Sequence, residues 1–140
     1  MVEPTASKRA LATKFGATAA FAPEHLPELT VDTTFDCVAA ASTLGAAGAA
    51  TVPGGTVVVV GVPSGDTALP LARLQRWEID VRGTGLYVGA DIDAVLQLLA
   101  TTDSGIAALV TAEYPVTEAA AAFAATADPD QVKVTVTWPS

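Results

Sequence analysis

The stretch TVVVVGV, residues 56–62, follows the turn signal Pro53-Gly54-Gly55 and runs into Pro63-Ser64-Gly65. Its valines succeed one another without alternation, so the strand they predict should be buried on both faces. Such a strand belongs in a parallel sheet covered by helices. The flanking segments fit that reading. FDCVAA (35–40), IDVRGTGLYV (79–88) and QVKVTVTW (131–138) read as further strands, with the stub Met1-Val2-Glu3 and ATAAFA (17–22) as shorter ones. Helical patterns lie between them: from Pro4 to Phe15 with Gly16 as the stop, then 42–52, 69–77, 91–102 and 117–126. Strands alternating with helices indicate βαβ units and an open parallel α/β sheet.

The finer expectations follow from local chemistry. Gly45 and Gly48 weaken the helix at 42–52. Ile92, Val95, Leu96 and Leu99 form the face that the helix at 91–102 should turn inward. Thr117 is placed as the N-cap of the helix at 117–126. Residues 23–33 read as a loop and 108–116 as an extended connection.

Apolar residues make up 51% of the chain, many of them alanine, which points to a tight, helix-rich core. The net charge of −8 repels phosphate backbones and anionic membrane surfaces, so neither nucleic acid nor membrane is an expected partner. No apolar run approaches the ~20 residues that span a bilayer. The start MVEPTASKRA turns polar too soon for a signal peptide, so the cytoplasm is the expected location. Cys37 is the single cysteine, which excludes an intrachain disulfide and a multi-cysteine metal cage. Within TFDCVAA it reads as a buried thiol acting as a small hydrophobe.

Ligands of open parallel sheets sit beyond the C-terminal strand ends, and three places qualify. Glu3 lies where a strand ends and a helix begins; an acid there can accept ribose hydroxyls and repel a 2′-phosphate. Lys8 could reach the same ribose. Alternatively, Glu3 is an acid favoured by the helix dipole and Lys8 a solvated charge. Gly61-Val62-Pro63-Ser64-Gly65 could admit a flat ring against the backbone, or be only a tight turn. Arg82-Gly83-Thr84-Gly85-Leu86 could mark close approach by a ligand, or a bulge. His25, Asp32, Asp36, Ser42 and Ser64 show no partners in sequence that would make a metal site, carboxylate pair or triad, and acids such as Asp32 and Asp36 at a strand entry are usually solvated.

Taken in order, VEP…SKRALATKFGAT (2–18), VDTTFDCVAAAS (31–42), VPGGTVVVVGVPSG (52–65), DVRGTGLYVGADIDAVLQLLATTDSGI (80–106), LVTAEYPVTEAAAAFAA (109–125) and QVKVTVTW (131–138) resemble the zinc-containing medium-chain alcohol and polyol dehydrogenases. The resemblance implies a Rossmann sheet binding NAD, and hydride transfer between an alcohol and a ketone or aldehyde. It implies Glu3 at the adenine ribose with Lys8 beside it. Val60, Gly61, Val62, Thr84 and Leu86 would lie on the nicotinamide side, and Lys133 at the pyrophosphate. It also implies a homodimer paired through the strand at 81–87. Residues 1–116 then form a partial NAD-binding domain, and 117–140 the helix and strand that return to the catalytic domain.

The family's first strand and its Gly-x-Gly-x-x-Gly turn do not occur here: Gly83 and Gly85 are followed by Val88 where a third glycine would stand. That turn is the pyrophosphate cradle, so NAD binding is expected to be weakened. No zinc ligand of the family is present either. The expected fold is therefore an incomplete, doubly wound Rossmann-like sheet, inactive as an isolated chain. Met1 is expected to be an internal methionine of a longer protein's second strand, and upstream DNA without a Gly-x-Gly-x-x-Gly would contradict that. Two alternatives stay open: a non-catalytic nucleotide-binding or dimerisation module, and part of a zinc-free NADPH quinone or enoyl reductase. The alcohol itself is not specified.

Overall fold

A computed structural model of the chain describes residues 1–102 and 105–139. In chain order the elements are α1 (Ala6–Lys14), β1 (Val31–Asp36), α2 (Ala41–Ala50), β2 (Thr51–Val59), α3 (Leu71–Arg76), β3 (Asp80–Gly83), α4 (Gly89–Thr101), β4 (Val110–Pro115), α5 (Ala119–Ala125) and β5 (Lys133–Thr137). They divide into one unit of residues 27–92 and another of residues 1–26 with 93–140. Asp103 and Ser104 of the string quoted above lie outside the described residues, as does Ser140.

In the unit 27–92, β2 is the middle strand of a three-stranded parallel sheet of order β1-β2-β3. The valine run does make the central strand, but only Val57 is fully buried; Val58 and Val59 are half-buried and Val60 is exposed. The expectation of two buried faces is thus corrected. Val57 packs with Leu74 of α3 and with Ile79, and Ala47 of α2 closes the cluster, so the buried side chains gather on one face.

β2 also starts five residues earlier than the valines suggest. Pro53-Gly54-Gly55 bulges out of it, because the register passes from Val31↔Thr51 to Thr33↔Thr56. Gly54 adopts φ +73, a left-handed conformation that glycine tolerates, and its N–H donates to the Trp77 carbonyl at 2.8 Å.

Two other strands shift for identifiable reasons. FDCVAA was expected to be the strand; instead β1 ends at Asp36 and the chain turns away, leaving Cys37 exposed rather than buried. The strand expected at 79–88 pairs only over Asp80–Gly83, because its neighbour β2 ends at Val59, opposite Gly83.

α2 sits on the sheet through Leu44 and Gly48. A Cβ at Gly48 would meet Pro70 Cγ at 3.1 Å and Leu74 Cδ2 at 3.7 Å, so this glycine lets the segment entering α3 come close. Arg73 of α3 satisfies the carbonyls that end α2, donating to Gly48 at 2.5 Å and Ala49 at 2.8 Å while lying over the Trp77 ring. Thr51, fully buried, donates to the Ala47 carbonyl at 2.8 Å and shares a 3.1 Å hydroxyl contact with Thr34.

In the other unit, β4 and β5 pair in parallel and α5 lies against both, with Ala122 buried. The extended connection expected at 108–116 is largely the strand β4. Thr117 does not cap α5: it falls within a short 3₁₀ turn, Val116–Glu118, that precedes the helix. The strand expected at 17–22 reduces to one bridge, Val2↔Phe21, since the stub Met1–Glu3 offers only a few residues to pair with. α4 runs Gly89–Thr101 as the periodicity predicts, but its apolar face is exposed, Ile92, Val95, Leu96 and Leu99 included. Periodicity selects the face a helix can bury; burial also needs a surface to receive it.

Candidate functional site

The C-terminal edge of the three-stranded sheet gathers Asp36, Val59 and Gly83, which are register partners across β1, β2 and β3. Hydrogen bonds beyond the ladder stitch the strand ends together. The Asp36 carbonyl accepts the N–H groups of Val60 at 2.8 Å and Gly61 at 2.9 Å. The Val59 carbonyl accepts the Thr84 N–H at 3.0 Å and its hydroxyl at 3.4 Å.

Of the residues expected on this edge, Val62 is 92% and Leu86 98% exposed. Apolar side chains so open at a sheet's C-terminal end are available to a ligand face. Gly61 is small for another reason as well: a Cβ there would lie 2.6 Å from Val38 backbone atoms and 2.7 Å from the Cys37 carbonyl carbon. Gly83 and Gly85 have open space where a Cβ would stand. Arg82 pairs with Asp80 at 3.1 Å on the surface, an arrangement worth little in water.

Asp36 is the residue that sequence reasoning missed. Placed among acids expected to be solvated, it is buried between the exposed residues Phe35 and Cys37. Its Oδ1 accepts the N–H of Val38 at 2.8 Å and of Ala39 at 3.0 Å, and its Oδ2 accepts the Thr43 hydroxyl at 2.8 Å. Burial pushes its carboxyl pKa up, but the bonds from Ala39, Val38 and Thr43 outweigh burial and hold it below the ordinary value. The available signal was an aspartate at a strand end, just before a short turn into a helix, where its side chain can bond the next N–H groups.

In the unit 1–26 with 93–140, Glu3 follows the bridge residue Val2 and precedes α1. Its Oε1 accepts the Thr5 N–H at 2.8 Å, so the carboxylate does serve the helix start. Its Oε2 makes no hydrogen bond among the described residues. Arg9 donates to the carbonyls of Glu3 and Pro4, both at 2.7 Å, and fixes this corner. Lys8 is half-buried on α1. Lys133 opens β5, exposed, with its carbonyl accepting the Thr111 hydroxyl at 3.3 Å.

Among the described residues no group of three or more His, Cys, Asp or Glu side chains could hold a metal ion. The donor set among the described residues therefore does not fit a zinc site. Toward a nucleotide, Glu3 in the unit 1–26 with 93–140 has a carboxylate oxygen with no hydrogen bond among the described residues. Separately, the sheet edge of the unit 27–92 presents exposed apolar side chains.

A parallel sheet with helices packed on it, and a ligand-ready C-terminal edge, defines the Rossmann-like α/β domains of dehydrogenases. Residues 1–101 match the zinc-binding dehydrogenase family, and the chain belongs to that family. Sorbitol dehydrogenase of Macaca fascicularis is 33% identical over 97 residues, which are 69% of this chain and 26% of that protein. The alcohol dehydrogenase of Thermus sp. ATN1 superposes with a TM-score of 0.85 at 26% identity, over 99% of this chain and 44% of that one. A zinc-binding dehydrogenase of Sinorhizobium meliloti 1021, bound to NADP, superposes at 0.83 with 24% identity, over 97% of this chain and 44% of that one. The chain spans about a quarter of the length of the sorbitol dehydrogenase that it matches.

Proposed function

We propose that this chain is the nucleotide-binding portion of a zinc-dependent alcohol or polyol dehydrogenase, and that it prefers NAD over NADP. The observation that carries the preference is Glu3. One carboxylate oxygen is engaged by the Thr5 N–H, and the other is available to a ribose hydroxyl. A fixed negative charge at that point disfavours a 2′-phosphate. Lys8 would assist at the ribose and Lys133 would meet the pyrophosphate. Val60, Gly61, Val62, Thr84 and Leu86 would border the nicotinamide. NAD, when bound, supplies the hydride acceptor; the residues named here bind and orient it.

The catalytic step needs zinc ligands, and no such cluster exists among the described residues, so this chain alone should not reduce NAD with any alcohol. The relative bound to NADP makes the opposite cofactor preference a specific rival. Replacing Glu3 by Gln separates the two. The amide oxygen can still accept the Thr5 N–H, while the charge is gone. NADH binding, followed by fluorescence titration, should weaken about tenfold and NADPH binding should not. Equal binding of both cofactors by the unaltered chain, with no response to Glu3→Gln, would remove the assignment.

A further inference from the structure

We propose that Asp36 is a positioning residue for the cofactor-facing edge, clamping the loop after β1 against the loop after β2. The proposal rests on the nucleotide-binding reading above and adds a residue that this reading does not use.

Three observations converge on Asp36. Its side chain accepts from Val38, Ala39 and Thr43, and therefore fixes the path of residues 37–40 into α2. Its main-chain carbonyl accepts from Val60 and Gly61, and therefore fixes the start of the loop after β2. Between these two holds, the Cys37–Val38 backbone lies where a side chain on Gly61 would have to be.

The loop's conformation needs such a hold. Ala39 has φ +59 and is 3% exposed. A buried residue with a Cβ does not settle in the left-handed region unless neighbouring bonds compensate for the strain. The bond from its own N–H to Asp36 is one of those. With the carboxylate gone, Ala39 is free to relax to negative φ, which moves Val38 off Gly61 and shifts Val60, Gly61 and Val62 with it. Asp36 touches no ligand in this scheme. It sets the spacing of the backbone on which the nicotinamide would rest.

The test uses the full chain with Asp36→Ala and Asp36→Asn, reading amide hydrogen exchange residue by residue and NADH affinity by fluorescence. Asp36→Ala should raise exchange at Val38, Ala39, Val60 and Gly61 by about tenfold or more while leaving Val57 and Val58 protected, and should weaken NADH by a similar factor. Asp36→Asn keeps an acceptor for the Val38 and Ala39 N–H groups and should recover most of both effects. Unchanged exchange in those loops would overturn the clamp. So would a uniform loss of protection that includes Val57, because Asp36 would then be a stability residue only. Altered loop exchange with unaltered NADH affinity would overturn the positioning role. If the unaltered chain binds no NADH, the nucleotide reading and the positioning role fall together, and exchange alone decides whether the clamp survives.

Discussion

At Asp36 two opposing effects act on one carboxyl group. Burial favours the protonated form, and hydrogen bonds from two N–H groups and a hydroxyl favour the charged one. The bonds win, and the folded-state pKa lies below the ordinary value of an aspartate. A lowered folded value means that the stabilisation is complete above the unfolded pKa and is lost as pH falls through the folded one. The urea midpoint of the chain should therefore exceed that of Asp36→Asn at neutral pH, and the gap should close as the pH falls below the ordinary carboxylate range and through the lowered folded-state pKa. A gap independent of pH would contradict the assignment. The neighbouring glycine gives a second prediction. Gly61→Ala forces a methyl group into the Cys37–Val38 backbone, and should cost about 1–3 kcal/mol in denaturant unfolding. Glu3 shows why local sequence left two readings open: one carboxylate oxygen serves the start of α1, and the other is unengaged among the described residues.

Among the elements, α2 carries two glycines that look alike in sequence and differ in the fold. Nothing lies within 4 Å of a Cβ at Gly45, whereas one at Gly48 meets Pro70 Cγ at 3.1 Å. Gly45→Ala should stabilise the chain by up to about 1 kcal/mol, the helix-propensity gain. Gly48→Ala should lose that gain to the crowding against Pro70. Thermal melts of the two variants side by side check the contrast. Strand positions were legible wherever β-branched residues ran together, as in β2 and β5. Strand ends were less so, because a ladder stops where its neighbour stops: β3 ends opposite Val59 whatever propensity 84–88 retains. α4 is the converse case, a helix legible from its period whose apolar side chains are nonetheless exposed.

For the molecule as a whole, the buried apolar residues among those described are Ala22, Ala39, Leu44, Val57, Leu74, Ile79 and Ala122, three of them alanine. Large apolar side chains stay exposed along α4 and at the sheet edge, including Leu86, Tyr87 and Val88. Exposed apolar surface of this kind binds hydrophobic dyes. Under native conditions the chain should enhance and blue-shift the emission of anilinonaphthalene sulfonate; the absence of any enhancement would show that these side chains are covered in solution. The family and the parallel α/β class were determined by the sequence itself, because valine runs, helix periods and turn glycines act locally and occur here in a specific order. That no Gly-x-Gly-x-x-Gly occurs within residues 1–140 was equally legible. Tertiary structure alone decided which valine of TVVVVGV is buried, that Pro53-Gly54-Gly55 bulges within its strand, and that Cys37 faces outward. It also turned Asp36 from a surface acid into the joint between two loops. Those outcomes depend on which backbone segments come within hydrogen-bonding distance across the sheet, and no local property of the residues encodes that distance.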